Sequence, residues 1–197
     1  IGRLLIKDWF MNKRYWLMFR MLFIFSPMKR VKFMKAQGVF RKCGENVMII
    51  SRKIPLYSRL ISIGNNVWIA SGVSFLTHDV VHFMLNCRRS QNEPRFEEKV
   101  GCIEIADNVF IGANTTILYD VKIGNNVVVG SNTLVNKDIP DNSVVAGIPC
   151  RVVGSFGDLV EKRKKIHLIH PVDNRMQFVS PECEEELWSK FYKTHEK

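Results

Sequence analysis

One histidine in this chain has neighbours and a position that suit proton transfer. The tripeptide Thr77-His78-Asp79 lies where a regular six-residue repeat breaks off. An imidazole titrates near neutral pH, so His78 can take a proton from a weak nucleophile such as an alcohol. Asp79 either orients that ring or closes a corner of the chain, as Asp often does. From residue types alone, the simpler interpretation of His78 is a surface histidine beside a turn.

The other histidines and the cysteines offer less chemistry. A catalytic zinc site needs three protein ligands, and no histidine occurs between 83 and 166 to join His78 and His82. The five cysteines contain no CxxC pair, so we expect a reduced cytoplasmic setting and no metal. Three histidines lie outside the repeat and are interpreted as ordinary residues: His167, His170 and His195.

The repeat itself predicts the architecture that must position His78. Aliphatic residues recur at every sixth position as Ile105, Ile111, Ile117, Ile123, Val129 and Val135. A period of six fits neither a helix of 3.6 residues per turn nor simple strand alternation. It predicts a solenoid of very short strands, with aliphatic residues inside and Gly or Asn at corners that need a left-handed backbone. The same pattern occurs earlier, over 63–74 and from Cys43.

This repeat resembles that of the hexapeptide-repeat acyltransferases, most strongly from Ile63 to Val153. The resemblance implies a mainly β fold, a left-handed parallel β-helix, and is closest to sugar and polysaccharide O-acetyltransferases of the galactoside, maltose and capsular types. In those enzymes a histidine at such a loop base is the general base, which implies that role for His78, with Asp79 beside it. No Ser or Cys lies in a nucleophile motif, so direct transfer to a hydroxyl is expected.

The end of the repeat, over 135–140 and 145–152, resembles the coenzyme A-binding end of that family. The resemblance implies acetyl-CoA as co-substrate, with its pantetheine arm in a groove between the subunits of a homotrimer. The cofactor-binding residues that it implies are Phe110, Ala113, Ser131, Lys137, Ala146, Gly147 and Arg151. Lys137 and Arg151 would face the phosphates; the alternative for each is a solvated corner charge. Phe110 is interpretable as core, and His82 and Trp68 are candidate acceptor contacts.

The charge of the chain is concentrated at one end. Residues 1–42 hold eleven basic residues and one acidic residue, and so carry the whole formal net charge of +10. Eight aromatic residues, from Trp9 to Phe33, are interleaved with them. We expect one or two helices that cap the solenoid with Lys and Arg on the solvent side. Added contact with the inner face of a membrane is compatible with this composition, whereas no motif for nucleic acid occurs.

The predicted organisation has three parts. Residues 1–42 form a basic, aromatic-rich helical cap, residues 43–154 form the β-helix with an extruded loop over 80–102, and residues 155–197 form a helical extension. A long loop of this kind is usually functional. The last helix should start at Ser180, with Pro181 at its first helical position, and pack Leu187, Trp188 and Phe191 inward.

The favoured function is acetyl-CoA-dependent O-acetylation of a sugar or of a surface-polysaccharide precursor, whose lipid-linked form would suit a membrane-proximal protein. Alternatives within the fold are an N-acetyltransferase acting on an antibiotic or an amino sugar. A non-enzymatic solenoid that only binds partners is the alternative from another class, since this fold also builds assemblies without catalysis.

Overall fold

The computed structural model describes residues 13–170, 172 and 178–195. Two compact units divide the chain, the first ending at Phe156 and the second beginning at Gly157. Part of the predicted basic cap, including Trp9 and Phe10, lies outside the described residues.

The first unit is built on three sheets of short strands. Sheet 1 contains β1 (Lys42–Cys43), β3 (Ile61–Ile63), β6 (Ile103–Ile105) and β9 (Val121–Ile123). Sheet 2 contains β2 (Met48–Ile49), β4 (Val67–Ile69), β7 (Val109–Ile111), β10 (Val127–Val129), β12 (Ser143–Ala146) and β13 (Arg151–Ser155). Sheet 3 contains β5 (Ser74–Leu76), β8 (Thr116–Leu118) and β11 (Leu134–Val135). All pairings are parallel except β12 with β13, and the predicted mainly β class is confirmed.

The chain visits sheets 1, 2 and 3 in turn and then repeats the circuit. Ile105 pairs with Ile123, and Ile111 with Val129, so one circuit takes eighteen residues, or three repeats of six. In the three-residue strands of sheets 1 and 2 the outer two residues are buried and the middle residue is more exposed. In β6, for example, Glu104 is exposed between two buried isoleucines. Each repeat therefore contributes a pair of apolar side chains to one continuous core.

The corner between sheets 1 and 2 is a ladder of asparagines. Asn46, Asn66, Asn108, Asn126 and Asn142 all have φ between 52° and 59°, in the left-handed region. The side-chain amide of each donates to the side-chain oxygen of the next over 2.8–3.0 Å. Asn tolerates this backbone conformation better than most residues and satisfies its own amide by stacking, which explains its recurrence at the sequence corners.

Two helices precede the repeating structure formed by sheets 1 to 3, which we call the coil, and pack onto its first turn. The described part of α1 covers 13–22, and α2 covers Pro27–Ala36, with Ser26 as its N-cap. Leu17 and Met21 from α1 and Val31 and Met34 from α2 are buried in the same core as the first strands. On α1 the expected solvent side does carry the exposed Arg20, and exposed aromatic rings share it. On α2 the expectation is wrong for Arg30, which is only 2% exposed.

The segment 80–102 leaves the coil between β5 and β6 and contains the helix α3 (Val81–Arg88). Backbone hydrogen bonds close its base, from Asp79 N to the Lys99 carbonyl over 3.0 Å and from Gly101 N to the Thr77 carbonyl over 2.9 Å. His78 and Val100 form an antiparallel bridge between them. The base of the segment is thus closed by two short antiparallel stretches, 77–79 and 99–101, which we call the neck.

The second unit contains most of α4 (Phe156–Lys164) and all of α5 (Pro181–His195). The side chain of Ser180 accepts from Cys183 N over 3.3 Å, as expected for a residue that caps α5. The prediction that Leu187, Trp188 and Phe191 pack inward is wrong: they are 40%, 48% and 47% exposed. Trp188 and Phe191 instead pack against each other, with ring centroids 5.5 Å apart.

Among the described residues, no helix combines the length and the apolar character needed to cross a bilayer.

Candidate active site

His78 lies in the neck of the inserted segment, with its ring held by an aromatic neighbour. The ring of Tyr57 meets the imidazole edge-on, with centroids 5.1 Å apart and planes at 76°. Nδ1 of His78 is buried and, within the described part of the chain, accepts or donates no hydrogen bond. The imidazole is therefore positioned by packing and by the neck backbone.

Residues 56–57 and 77–78 are fastened to each other. Thr77 is fully buried, and its hydroxyl donates to the Leu56 carbonyl over 2.8 Å. Tyr57 adopts a left-handed backbone with φ of 51°, which is uncommon for a bulky residue and costs free energy that the surroundings must offset. This conformation accompanies the placement of the Tyr57 ring against His78.

Tyr57 also links His78 to the far side of the inserted segment. Its hydroxyl donates to the carboxylate of Glu98 over 3.0 Å. Burial and, next, this carboxylate raise the pKa of Tyr57, so the phenol stays protonated and remains a donor at neutral pH. Both strands of the neck therefore help to fix the ring that packs on His78.

Asp79 makes its hydrogen bonds with groups other than His78. One oxygen accepts from Val81 N over 3.1 Å, at the start of α3, and the other accepts from the hydroxyl of Tyr119 over 2.8 Å. That hydrogen bond is the main cause of the raised pKa of Tyr119. Of the two roles open to Asp79, these contacts favour the closing of the corner, which ties the inserted segment to the next circuit.

His82 and Trp68, the candidate acceptor contacts, lie on different elements. His82 belongs to α3, where its ring lies 4.2 Å from that of Phe83 and its Nδ1 is buried without a partner among the described residues. Trp68 lies in the middle of β4 on the outer face of sheet 2, and its indole donates to Asn66 over 3.2 Å. Only His82 shares the inserted segment with His78.

Phe110 follows Trp68 directly on the outer face of sheet 2. The two residues pair in register, and they are 44% and 40% exposed, so Phe110 is not a core residue. Val128 and Val144 continue the same row on β10 and β12. This row is an apolar stripe on the outside of the coil, and we call it the sheet 2 stripe.

Ala113 and Ser131 occupy the corner between sheets 2 and 3 in successive circuits. The Ala113 carbonyl accepts from Asn132 N over 2.8 Å, so the two corners are in direct contact. A Cβ on Gly112 would lie 2.5 Å from Ser131 N, which shows that only glycine fits there. Ala113 and Ser131 therefore form a narrow row of small residues along this edge, which we call the small-residue shelf.

Lys137 and Arg151 lie together at the end of the coil. Both line a small pocket of about 130 Å³ that also includes Pro140 and Val145. Ala146 pairs with Arg151 across β12 and β13, and the Gly147 carbonyl accepts from Leu134 N over 3.1 Å. Two cations that share one pocket suit a phosphate group.

The structure thus brings some of the candidates together and separates others. His78, Asp79 and His82 lie at the corner between sheets 3 and 1, Ala113 and Ser131 at the corner between sheets 2 and 3, and Phe110 and Trp68 on sheet 2. Tyr57, Glu98 and Tyr119 were not predicted, because none belongs to a motif. In the described ranges, no group of three or more His, Cys, Asp or Glu side chains is placed to hold a metal ion.

Comparisons with known proteins agree with the repeating strand pattern. Residues 103–137 match the family model described as bacterial transferase hexapeptide (six repeats). Over 99 residues the chain is 48% identical to protein CapG of Staphylococcus aureus, covering 49% of this chain and 54% of CapG. It is 40% identical over 99 residues to galactoside O-acetyltransferase of Escherichia coli K12, covering 50% of this chain and 45% of that enzyme. The chain spans about half the length of these curated relatives.

A solved structure extends the likeness beyond the repeat. A galactoside acetyltransferase in complex with coenzyme A superposes with a TM-score of 0.50 and 27% identity, over 77% of each chain. The regular part of the repeat, over 103–137, is thus similar to the bacterial transferase hexapeptide repeat. The resemblance to hexapeptide-repeat acyltransferases, and to sugar O-acetyltransferases among them, is confirmed.

Proposed function

We propose that this protein transfers an acetyl group from acetyl-CoA to a hydroxyl of a sugar or surface-polysaccharide precursor, with His78 as general base. The observation that carries the proposal is the placement of His78 in the neck, wedged by Tyr57, in a coil whose relatives include a galactoside O-acetyltransferase. We further infer that the coil is left-handed, as the family resemblance implies.

The reaction is a direct transfer. His78 takes the proton of the acceptor hydroxyl as its oxygen attacks the thioester carbonyl carbon, because a neutral alcohol is a weak nucleophile. The new C–O bond forms, the C–S bond breaks, and the imidazolium returns the proton to the leaving CoA thiolate. Backbone N–H groups on the small-residue shelf at Ala113 are our candidates to stabilise the oxygen charge that develops.

The coenzyme would follow the edge between sheets 2 and 3. Ala113 and Ser131 leave room for the pantetheine arm, Phe110 walls an apolar slot, and the terminal unit Ala146-Gly147 continues the edge. Lys137 and Arg151 would face the phosphates from their shared pocket.

These elements lie at different corners from His78, which favours a site shared between copies of the chain. A cyclic homotrimer would set the shelf of one subunit beside the neck of the next. The sheet 2 stripe, with Trp68 and Phe110 half-exposed, is apolar enough to contribute to such packing. Trp68 and His82 are then proposed to contact the acceptor.

The proposed function is tested by product analysis. Purified protein is incubated with acetyl-CoA and either methyl β-galactoside or UDP-glucosamine, which offers a free amine beside its hydroxyls, and products are identified by mass spectrometry. We expect an added acetyl group that hydroxylamine removes, because esters are cleaved and amides are not. An acetyl group that resists hydroxylamine on an amino sugar would show N-transfer instead, and the absence of acetyl-CoA binding by calorimetry would favour the non-enzymatic alternative.

A further inference from the structure

The outer side of the first helix and the turn that follows it carry large apolar side chains in water. Tyr15, Trp16 and Phe19 on α1 are 56%, 50% and 59% exposed. Phe23 and Phe25 in the turn are 68% and 83% exposed. We call these five residues the aromatic face. Scattered exposed apolar residues are ordinary, whereas a contiguous set on one element indicates a binding surface.

The turn that displays Phe23 and Phe25 is held rigidly from beneath. Arg30 is only 2% exposed, and one of its terminal nitrogens donates to the carbonyls of Ile24 and Phe25 over 2.9 and 2.8 Å. The other terminal nitrogen donates to the Ile50 carbonyl over 2.9 Å, which anchors the turn to the coil. A buried guanidinium is costly. The two terminal nitrogens of Arg30 make these three bonds, although its buried Nε has no partner among the described residues, and together they hold a turn whose phenylalanines project into solvent.

Cations lie among the rings of this surface. The guanidinium of Arg20 lies 4.8 Å from the ring centre of Trp16 and 5.2 Å from that of Phe33, and that of Arg14 lies 5.1 Å from that of Tyr15. Lys29 and Lys32 are exposed on the adjoining helix α2. The aromatic face is therefore apolar and positively charged at once.

We infer that the aromatic face docks on the surface of an anionic lipid bilayer, with Phe23 and Phe25 inserted below the headgroups. Aromatic rings are favoured at the level of the headgroups, and each nearby Lys or Arg adds attraction to anionic lipid. A second copy of the chain fits less well, because it would bring like charges together. Nucleic acid also fits less well, since Arg14 and Arg20 are stacked on the protein's own rings. This inference is independent of the acetyl transfer proposed above.

Vesicle flotation of the full chain tests the inference. Vesicles of phosphatidylcholine alone are compared with vesicles containing phosphatidylglycerol. We expect co-flotation with the anionic vesicles only, weakening from 0.1 to 1 M salt as the Debye length falls from about 10 to about 3 Å. The double variant Phe23→Ser/Phe25→Ser should reduce the bound fraction at least about tenfold. The matched control Phe178→Ser removes a phenylalanine that is 70% exposed elsewhere and should bind as the parent does.

Equal melting temperatures of the three proteins show that folding is not the cause. The inference is overturned if the parent does not float with anionic vesicles, or if the double variant floats as well as the parent. It is also overturned if a single-stranded oligonucleotide, added at the same total negative charge as the anionic lipid, displaces the parent from the vesicles. Self-association that the double variant abolishes, with no flotation, would assign the face to a second copy of the chain.

Discussion

At the scale of single residues, the candidate base depends on a neighbour from an earlier circuit of the coil. Tyr57 touches His78 across 21 positions of sequence, and its hydroxyl reaches Glu98, 41 positions away. His78 itself could be selected from the sequence because the repeat breaks beside it. Tyr57, Glu98 and Tyr119 could not, since their contacts exist only once circuits are stacked and the inserted segment is closed.

We predict that truncating Tyr57 impairs catalysis without affecting coenzyme binding. Tyr57→Ala should lower kcat roughly ten- to hundredfold, because a slight misplacement of a catalytic group is costly, and leave KM for acetyl-CoA unchanged. Tyr57→Phe keeps the ring against His78 and should retain most of kcat. The measurement is the steady-state rate over a range of pH. Equal rates for Tyr57→Ala and the parent would show that the ring contact does not position the base.

At the scale of elements, the corners could be predicted from the sequence, but the antiparallel strand β13 could not. Gly and Asn at fixed six-residue spacing predicted left-handed corners, and the positive φ values of Asn66, Asn108 and Asn126 confirm this for asparagine. It is wrong for Gly112 and Gly124, whose φ is not positive and where the backbone of the next circuit leaves no room for a Cβ. Strand β13 gave no comparable signal, because all five of its residues are exposed and no alternation marks them. The helix α3 was likewise missed, as none of its residues is buried.

The close approach of two circuits at Gly112 gives a prediction about stability. Gly112→Ala places a Cβ 2.5 Å from Ser131 N and 2.7 Å from the Gly130 carbonyl carbon, both backbone atoms that cannot yield easily. We expect a loss of about 1–3 kcal/mol in the free energy of unfolding, measured by urea denaturation. Gly154→Ala is the matched control, because no atom lies within 4 Å of its added Cβ. Equal loss in both variants would contradict the packing argument.

The ladder of hydrogen bonds beside the asparagines predicts sensitivity to acid. Backbone N–H donation from Asn65 and Asn125 lowers the pKa of Asp107 and Asp141, respectively. A carboxylate whose pKa is lower in the folded state contributes stability above its unfolded pKa of about 3.9 and loses it as pH falls through the folded value.

Asp107→Asn/Asp141→Asn keeps an oxygen that accepts the same backbone bonds but cannot titrate. We therefore expect the urea midpoint to fall less between pH 7 and pH 3 in this double variant than in the parent. An identical fall would place the acid sensitivity elsewhere in the molecule.

At the scale of the whole molecule, we predict that a second subunit completes the proposed site. Co-expression of His78→Ala with Ser131→Arg should restore activity that neither variant has alone, because mixed trimers contain some sites with both halves intact. Random mixing predicts about a quarter of parental activity. Ser131 is exposed, so the arginine blocks the shelf without burying a charge. Activity no higher than that of the single variants would place the whole site within one chain.

The charge of the molecule belongs to this scale too. Composition indicated that residues 1–42 carry the entire net charge, but it could not show which side of α1 faces solvent. In the described part of α1, Leu17 and Met21 are buried and Met18 packs against the core, whereas the rings of Trp16 and Phe19 remain outside. The distinction depends on packing geometry that no composition or spacing specifies.

The rate of acetyl transfer after replacement of His78 shows most directly whether this residue removes the acceptor's proton. With coenzyme binding verified by calorimetry, His78→Ala should lower the rate roughly 10²–10⁴-fold, while His195→Ala should match the parent. If the His78→Ala enzyme acetylates the acceptor as fast as the parent, His78 is not the general base.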